Sequence, residues 1–467
     1  MKLPGFIDSH LHVLGLGYAS FNIDLTNVKS IKEIIDIAKP NSKQNIIIGR
    51  GWNQSALLDK RMLTKIDLNA ISSDIPIVMV RVCGHVITVN DRMLELANIT
   101  RETSQIEGGS FDFTTGIFSE NALSLIYEAM PKHSEEDLER YIIKANKLLL
   151  QNGITEVASD DFCIFPIPFE EVIDVINNLY SKNKIQVKIT EQVNLPYNEL
   201  KRFINKGFVN KTFGNYKMGP LKILSDGSLG GKTAFLSKPY EGEPNNFGIN
   251  TYSNSELFEL VNLANSNNMD VVIHAIGDEA MTQSLNALTK SIDLTGRYNH
   301  NHAIIHAQLA SKEHIDIMSR YNIGAIIQPI FLNSDIKIID SRIGSRGQKS
   351  YLFKTMFNSG INVGFSTDSP IEPLNPFMNI YCAISRKSIK NPELMPFNEE
   401  EGFNLEDALK CYTTNNLSFI YKDVISANDY IIIDRNPYEC STEELVDIKI
   451  LETYIDKKLV YKLQATK

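Results

Sequence analysis

Four short strand-like runs end in residues able to hold a metal ion or move a proton. The first, "DSHLH", places Asp8, His10 and His12 at alternate positions. Alternate side chains of an extended chain share one face, so all three point the same way and two imidazoles can share one ion. "VVIHAIGD" closes an apolar run with His274, "IIHAQL" with His306 and "FSTDSP" with Asp368. Taken singly, each is as readily a hydrogen-bonded core histidine or a helix-capping aspartate. Brought to one rim, four such strand ends suit a divalent transition metal, for which imidazole and carboxylate are fitting donors.

A fifth run, "KILSDGSLGGKT" (222–233), has the look of a phosphate-binding loop. That loop needs two glycines separated by four residues, with Lys and Ser/Thr after the second. Counting back from Gly231, the required position is 226, and it holds Asp226. A carboxylate there would face phosphate where bare backbone is needed, so this run is not such a loop. Counted backward from Asp368 through "IIQP", His306 and His274, Lys222 falls on the fourth strand, at the same rim. Two readings of it stand. Lys222 pairs with Asp226, or extends to solvent at a strand end. Alternatively, burial and nearby positive charge leave a neutral amine. Addition of carbon dioxide then makes a carbamate, an anion able to bridge two metal ions.

The elements that must position these residues repeat along the chain. Apolar runs at "GFIDSHLH", "ITEVASDD", "VKITEQVN", "LKILSDG", "DVVIHAIGD", "AIIHAQL", "IGAIIQP" and "VGFSTDSP" alternate with helical periodicity in "SNSELFELVNLANSNN", "AMTQSLNALTKSI" and "SKEHIDIMSRY". Continuous apolar strands separated by helices predict a parallel sheet buried on both faces. Eight strands fit an α/β fold of the closed (β/α)8 TIM-barrel type, whose active site lies at the C-terminal strand ends. An open doubly wound sheet would gather its binding residues at one switch point instead. Residues of about 45–130 break the rhythm and are expected to form a large insertion after strand 1, over the barrel mouth. The expected division is a barrel domain over 1–427 and a small β appendage over 428–467, with a turn at Asp456-Lys457-Lys458.

The chain has 467 residues, 43% of them apolar, and a net charge of −9. It is long enough for one large domain with additions. The acidic balance argues against nucleic acid or an anionic membrane as partner, since both select basic patches. Cys83, Cys163, Cys382, Cys411 and Cys440 are scattered and odd in number. That pattern, with no apolar leader and no long apolar span, points to reduced thiols in a cytoplasmic protein.

The motifs also carry a resemblance. "PGFIDSHLH", His274, His306 and Asp368 resemble the metal-dependent amidohydrolase superfamily. "GRGWNQS", "VRVCGHVITVND", "ILSDGSLGGKTAFLSKPY", "HAIGDEAM", "HAQL", "IIQP" and "STDSPIEPLNPF" are similar to its amidohydrolase-3 (YtcJ-like) branch, in order and up to about residue 436. The resemblance implies one or two divalent ions, most commonly Zn2+. It implies His10, His12, Lys222 as a carbon dioxide-derived carbamate, His274, His306 and Asp368 as their ligands. It further implies a hydrolase of a non-peptide C–N bond (amide, N-formyl or related) in a small molecule. Asp368 would act as general base and proton shuttle toward a metal-activated water. His85 is implied to bind or polarise the substrate. Trp52 and Arg81 are implied to line its cavity, and Asp226 and Gln328 to hold substrate or brace the ligands. Trp52, as the only tryptophan, suits packing equally well. His133, His300, His302 and His314 read as surface residues.

Two other functions fit the same barrel: a deaminase of a cyclic amidine, and a binding or regulatory protein without turnover. Relatives of the branch also place β-strands before "PGFID", where this chain has three residues, and "SANDYIIID" stands in place of their "G-K-x-A-D". The tail strands are therefore expected to form a reduced sheet, or to pair with a second copy in a homodimer.

Overall fold

All eight apolar runs fold as parallel strands of one sheet. In chain order they are β1 (Phe6–Leu11), β2 (Ile154–Ser159), β3 (Lys188–Val193), β4 (Tyr216–Leu224), β5 (Val271–Ala275), β6 (Ala303–His306), β7 (Gly324–Ile327) and β8 (Val363–Phe365). Each is hydrogen-bonded to the next in parallel register. The structure, a computed structural model, describes residues 1–41, 45–54, 56–81, 86–106, 109–120, 122–130 and 132–464. Strands β1, β2, β6, β7 and β8 are buried at every position, as a sheet covered on both faces requires.

The sheet order runs from β8 through to β1, and the two end strands are joined not by a ladder but by side-chain bonds and isolated backbone bonds at their C-terminal ends. Ser9 Oγ donates to Phe365 O at 3.0 Å, and Thr367 Oγ1 donates to Asp8 Oδ2 at 2.7 Å. Asp368 N–H donates to His10 O at 3.0 Å. Asn416 Nδ2 spans the same seam, donating to Ile7 O at 2.6 Å and to Phe365 O at 2.9 Å. Gly364 leaves room for this bridge, since a Cβ there would lie 1.9 Å from Asn416 Oδ1. The result is a nearly closed α/β TIM-type barrel.

The helices match the periodic runs. Asn254–Ser266 starts at a Ser253–Glu256 capping box, Asp278–Thr295 follows β5, and Lys312–Arg320 starts at Ser311. The tail forms three antiparallel strands, Tyr430–Ile433, Ile450–Ile455 and Lys458–Lys462. They have a fourth strand: Lys2–Pro4 pairs with Tyr430–Ile433 at the sheet edge. So the residues ahead of "GFID" supply a partner strand within the same chain. The hairpin turn at Asp456-Lys457 has positive φ at both residues (51° and 63°), the twist a two-residue hairpin favours. Thr453 Oγ1 donates to Leu150 O at 2.7 Å, anchoring the small sheet to the helix Glu135–Gln151.

By contact density the chain divides into residues 1–16 with 138–467, and residues 17–137. The second unit starts well before residue 45, because Ile23–Asp24 joins its sheet and Ile31–Ala38 its core. Among the described residues its sheet holds six strands, Ile23–Asp24, Ile47–Trp52, Ile77–Arg81, Val86–Val89, Ile117–Glu120 and Gly109–Asp112, in that spatial order. Trp52 is fully buried in this unit's own apolar cluster, and its indole N–H donates to Met79 O at 3.2 Å. With no surface left for a ligand, Trp52 packs the core rather than lining a cavity, which corrects the substrate-contact expectation. Among the described residues no helix is long and apolar enough to cross a membrane.

Candidate metal centre

Strand ends β1, β4, β5, β6 and the turn after β8 bring together His10, His12, Lys222, His274, His306 and Asp368. His10 Nε2 and His12 Nε2 lie 3.3 Å and 3.2 Å from Asp368 Oδ1, and His306 Nε2 lies 4.0 Å from its Oδ2. Donor atoms of His10, His306 and Asp368 all fall within 4.8 Å of one another. The His274 and His306 rings are 4.3 Å apart at their centroids. Lys222 Nζ lies 3.8 Å from the carboxylate of Asp160, whose backbone carbonyl is hydrogen-bonded to His12.

Each imidazole is oriented by a second hydrogen bond, as ligating histidines are. His10 Nδ1–H donates to Gln192 Oε1 at 2.5 Å, and Gln192 is itself fixed by donating to Ser9 O. His12 Nδ1–H donates to Asp160 O at 2.9 Å. His306 Nδ1–H donates to Gln328 Oε1 at 2.7 Å, while Gln328 Nε2 donates to Ser366 Oγ at 2.6 Å. These bonds leave Nε2 of all three facing Asp368. His274 is held the other way: its Nε2 lies 3.1 Å from Gly227 O and 3.3 Å from Asp226 Oδ1, leaving Nδ1 as the donor atom. Asp226 accepts backbone N–H groups from Phe235 (3.0 Å), Ile276 (3.1 Å) and Gly277 (2.8 Å). Its carboxylate is thereby saturated, so both Asp226 and Gln328 brace histidines here rather than offering free groups to a substrate.

The electrostatics favour a cation. Burial, then the neighbouring His274, pushes His306 well below the usual histidine range. Burial, then Lys222, lowers His10 as well. His306 is 1% exposed, and its Nε2 has no hydrogen-bond partner among the described residues. A buried polar atom left in this way is costly unless something fills the space before it. Burial alone would depress His12, but the Asp368 carboxylate and then Asp160 raise it to about 9. Burial would likewise raise Asp368, yet hydrogen bonds from His10 and His12 hold it well below the carboxylate range. The donor set of imidazoles, carboxylate and lysine thus fits a divalent ion, which would replace the His12 proton as the partner of Asp368. His306 (φ 74°) and Asp368 (φ 55°) both adopt left-handed backbone, a strain of about 1–3 kcal/mol each that gathers at functional positions.

Two contributors had a weaker sequence signal. Gln192 sits at the end of "ITEQV" and Asp160 directly after β2, where strand ends carry function in this fold, but neither residue type marks a ligand. The Asp160 carboxylate lies 3.8 Å from Lys222 Nζ and accepts Asn194 Nδ2–H at 3.1 Å. Lys222 therefore faces Asp160 and not Asp226. Arg81 ends a strand of the 17–137 unit, where its Nε donates to Gln54 Oε1 at 2.7 Å. His85 lies outside the described residues. His302 and His314 are buried rather than exposed. His302 Nδ1 accepts Val271 N–H at 3.0 Å, and His314 Nδ1 accepts Ser311 N–H at 3.1 Å.

A β/α barrel with this donor set at its C-terminal rim has the architecture of a metal-dependent hydrolase. The amidohydrolase family model matches residues 1–461, and the chain belongs to that family. It is 30% identical to YtcJ of Bacillus subtilis (strain 168), an amidohydrolase by name, over 99% of this chain and 89% of that protein. It is 21% identical to the N-substituted formamide deformylase of Arthrobacter pascens, over 98% and 88% of the two chains. A crystal structure of an uncharacterized metal-dependent hydrolase from Pyrococcus horikoshii OT3 superposes with a TM-score of 0.80. The two are 30% identical, with 95% of this chain and 87% of that one covered.

Proposed function

We propose that this amidohydrolase-family protein hydrolyses a non-peptide C–N bond, an amide, N-formyl or related group, in a small organic molecule. The observation that carries the reading is the convergence of three oriented imidazoles, His10, His12 and His306, on one ionised aspartate, with His274 packed beside His306 and His306 Nε2 buried and unpartnered among the described residues. The similarity to a formamide deformylase agrees with the bond class. Lys222 beside His10 and His306 supports this over a cyclic-amidine deaminase, in whose relatives a bridging lysine carbamate is often missing.

His10, His12, His274, His306, Asp368 and a carbamate on Lys222 would hold one or two divalent ions, with zinc the best match to the donors. When bound, the ion supplies Lewis acidity that polarises a carbonyl and acidifies water. Asp368, ionised and aimed at the same centre, accepts the proton of the attacking water. It returns that proton to the departing nitrogen as the C–N bond breaks. Gln192, Gln328, Asp160 and Asp226 take no part in bond changes; they fix the histidine tautomers on which the donor geometry depends. By the family resemblance, Arg81 and His85 would contact the substrate.

The test is elemental analysis of purified protein with hydrolysis assays on a panel of N-formyl, N-acyl and cyclic amides. One to two equivalents of divalent metal are expected. Asp368→Asn should lower kcat by about 100- to 10,000-fold. Full activity in metal-free protein, or in Asp368→Asn, would reject the reading.

A further inference from the structure

A cavity of about 240 Å3 opens where the ligand-bearing strands end. Ile276 lies two residues beyond His274, Gln308 two beyond His306, and Ile371 three beyond Asp368, and all three line it. Phe331, also in its wall, packs against the His306 ring at 5.4 Å between centroids. Much of the lining is apolar, with Leu229 and Ile338 completing that surface. The polar part consists of Ser228, Gln308, Ser334, Asp335 and Glu372. Gln308 is 1% and Glu372 7% exposed, and Gln308 Oε1 and Glu372 Oε2 have no hydrogen-bond partner among the described residues. The other Glu372 oxygen accepts Ser334 Oγ–H at 2.7 Å. Lys390 Nζ stands 3.8 Å from Oε2, beyond hydrogen-bond range, on an exposed side chain. Asp335 adds a second carboxylate, which accepts Tyr351 O–H at 2.5 Å and Gln308 Nε2–H at 3.5 Å.

Two buried acceptors without donors, in a mostly apolar wall beside the metal centre, describe what is missing. We infer that this cavity is the substrate's leaving-group subsite, and that it selects a short aliphatic chain ending in an ammonium group. The stem would cover Leu229, Ile276 and Phe331, and the ammonium would donate to Gln308 Oε1 and Glu372 Oε2. A carboxylate-tipped chain would meet Glu372 and Asp335 with like charge. A plain alkyl chain would leave both acceptors unpaired.

The inference rests on the C–N hydrolase reading, so the experiment separates the two. The metal-loaded full-length protein is assayed with the monoformyl derivative of a four-carbon diamine, the formamide of pentylamine, and formamidopentanoate. Binding of butylamine and butyrate is measured alongside by calorimetry. The ammonium substrate should exceed the alkyl one in kcat/KM by about 10- to 100-fold, the value of charged hydrogen bonds in a buried site. Glu372→Gln should reduce that ratio at least tenfold, whereas a merely structural role would lower both substrates in proportion. Gln308→Met is the second variant, with the same ratio as readout. Equal kcat/KM on all three formamides, or variants that leave the ratio unchanged, would overturn the subsite while sparing the hydrolase. Butylamine binding that exceeds butyrate binding and depends on Glu372, with no hydrolysis of these formamides or of the wider amide panel, would uphold an ammonium-binding cavity but overturn both the hydrolase reading and the leaving-group role.

Discussion

At the residue scale, the centre is a set of donors whose roles are fixed by their second contacts. Lys222 tests this most sharply, because an ammonium ion among His10, His306 and a cation makes poor electrostatic sense. Replacement by Ala should strongly weaken metal loading, and acetate should partly restore it by supplying the missing carboxylate-like bridge. Unchanged metal content would return Lys222 to pairing with Asp160 alone. Asp335 gives a pH-dependent test outside the donor set. Burial raises its carboxyl from 3.8 to about 6. Between those values the folded chain keeps a proton that the unfolded chain has lost, so Asp335 makes stability fall as pH rises from about 4 to 6. Unfolding free energies from denaturant melts across that window should differ in pH slope by about one proton, the parent losing stability relative to Asp335→Asn as pH rises.

At the element scale, what matters is how β5 and the loop after β4 lock together. Gly277 begins the helix Asp278–Thr295, and a Cβ there would lie 1.9 Å from Phe235 O. The same stretch donates the Ile276 and Gly277 N–H groups that hold Asp226, which in turn orients His274. Gly277→Ala should therefore cost about 1–3 kcal/mol of stability and lower metal occupancy, although residue 277 donates no ligand atom. Thermal melts together with metal analysis would check both. The barrel seam follows the same logic: β1 and β8 meet through the side chains of Asp8, Ser9 and Asn416, and the Asp368 N–H bond to His10 O registers the two residues directly.

At the scale of the whole molecule, a centre assembled from five strand ends links metal binding to the stability of the barrel. Ligands so far apart in sequence are not preassembled in the unfolded chain, so an ion binding only the folded form stabilises it by mass action. Removal by a chelator should lower the melting temperature. Re-addition of zinc at about a thousandfold above its Kd should recover about 4 kcal/mol. A melting temperature indifferent to chelation would mean that the donors do not hold a metal in the native barrel.

The sequence by itself determined the strand runs, their alternation with helices and the residue types at their ends, because burial on both faces of a parallel sheet leaves a continuous apolar signature. It thereby marked His10, His12, His274, His306 and Asp368 without any coordinates. Only the tertiary structure decided which nitrogen each imidazole offers, that Lys222 faces Asp160 and not Asp226, and that Gln192 braces His10. It alone buried Trp52 in the core of the 17–137 unit and set Lys2–Pro4 beside the tail strands. Those outcomes depend on contacts between residues tens to hundreds of positions apart. Periodicity reports a local face; it carries no information about which distant side chain that face will meet.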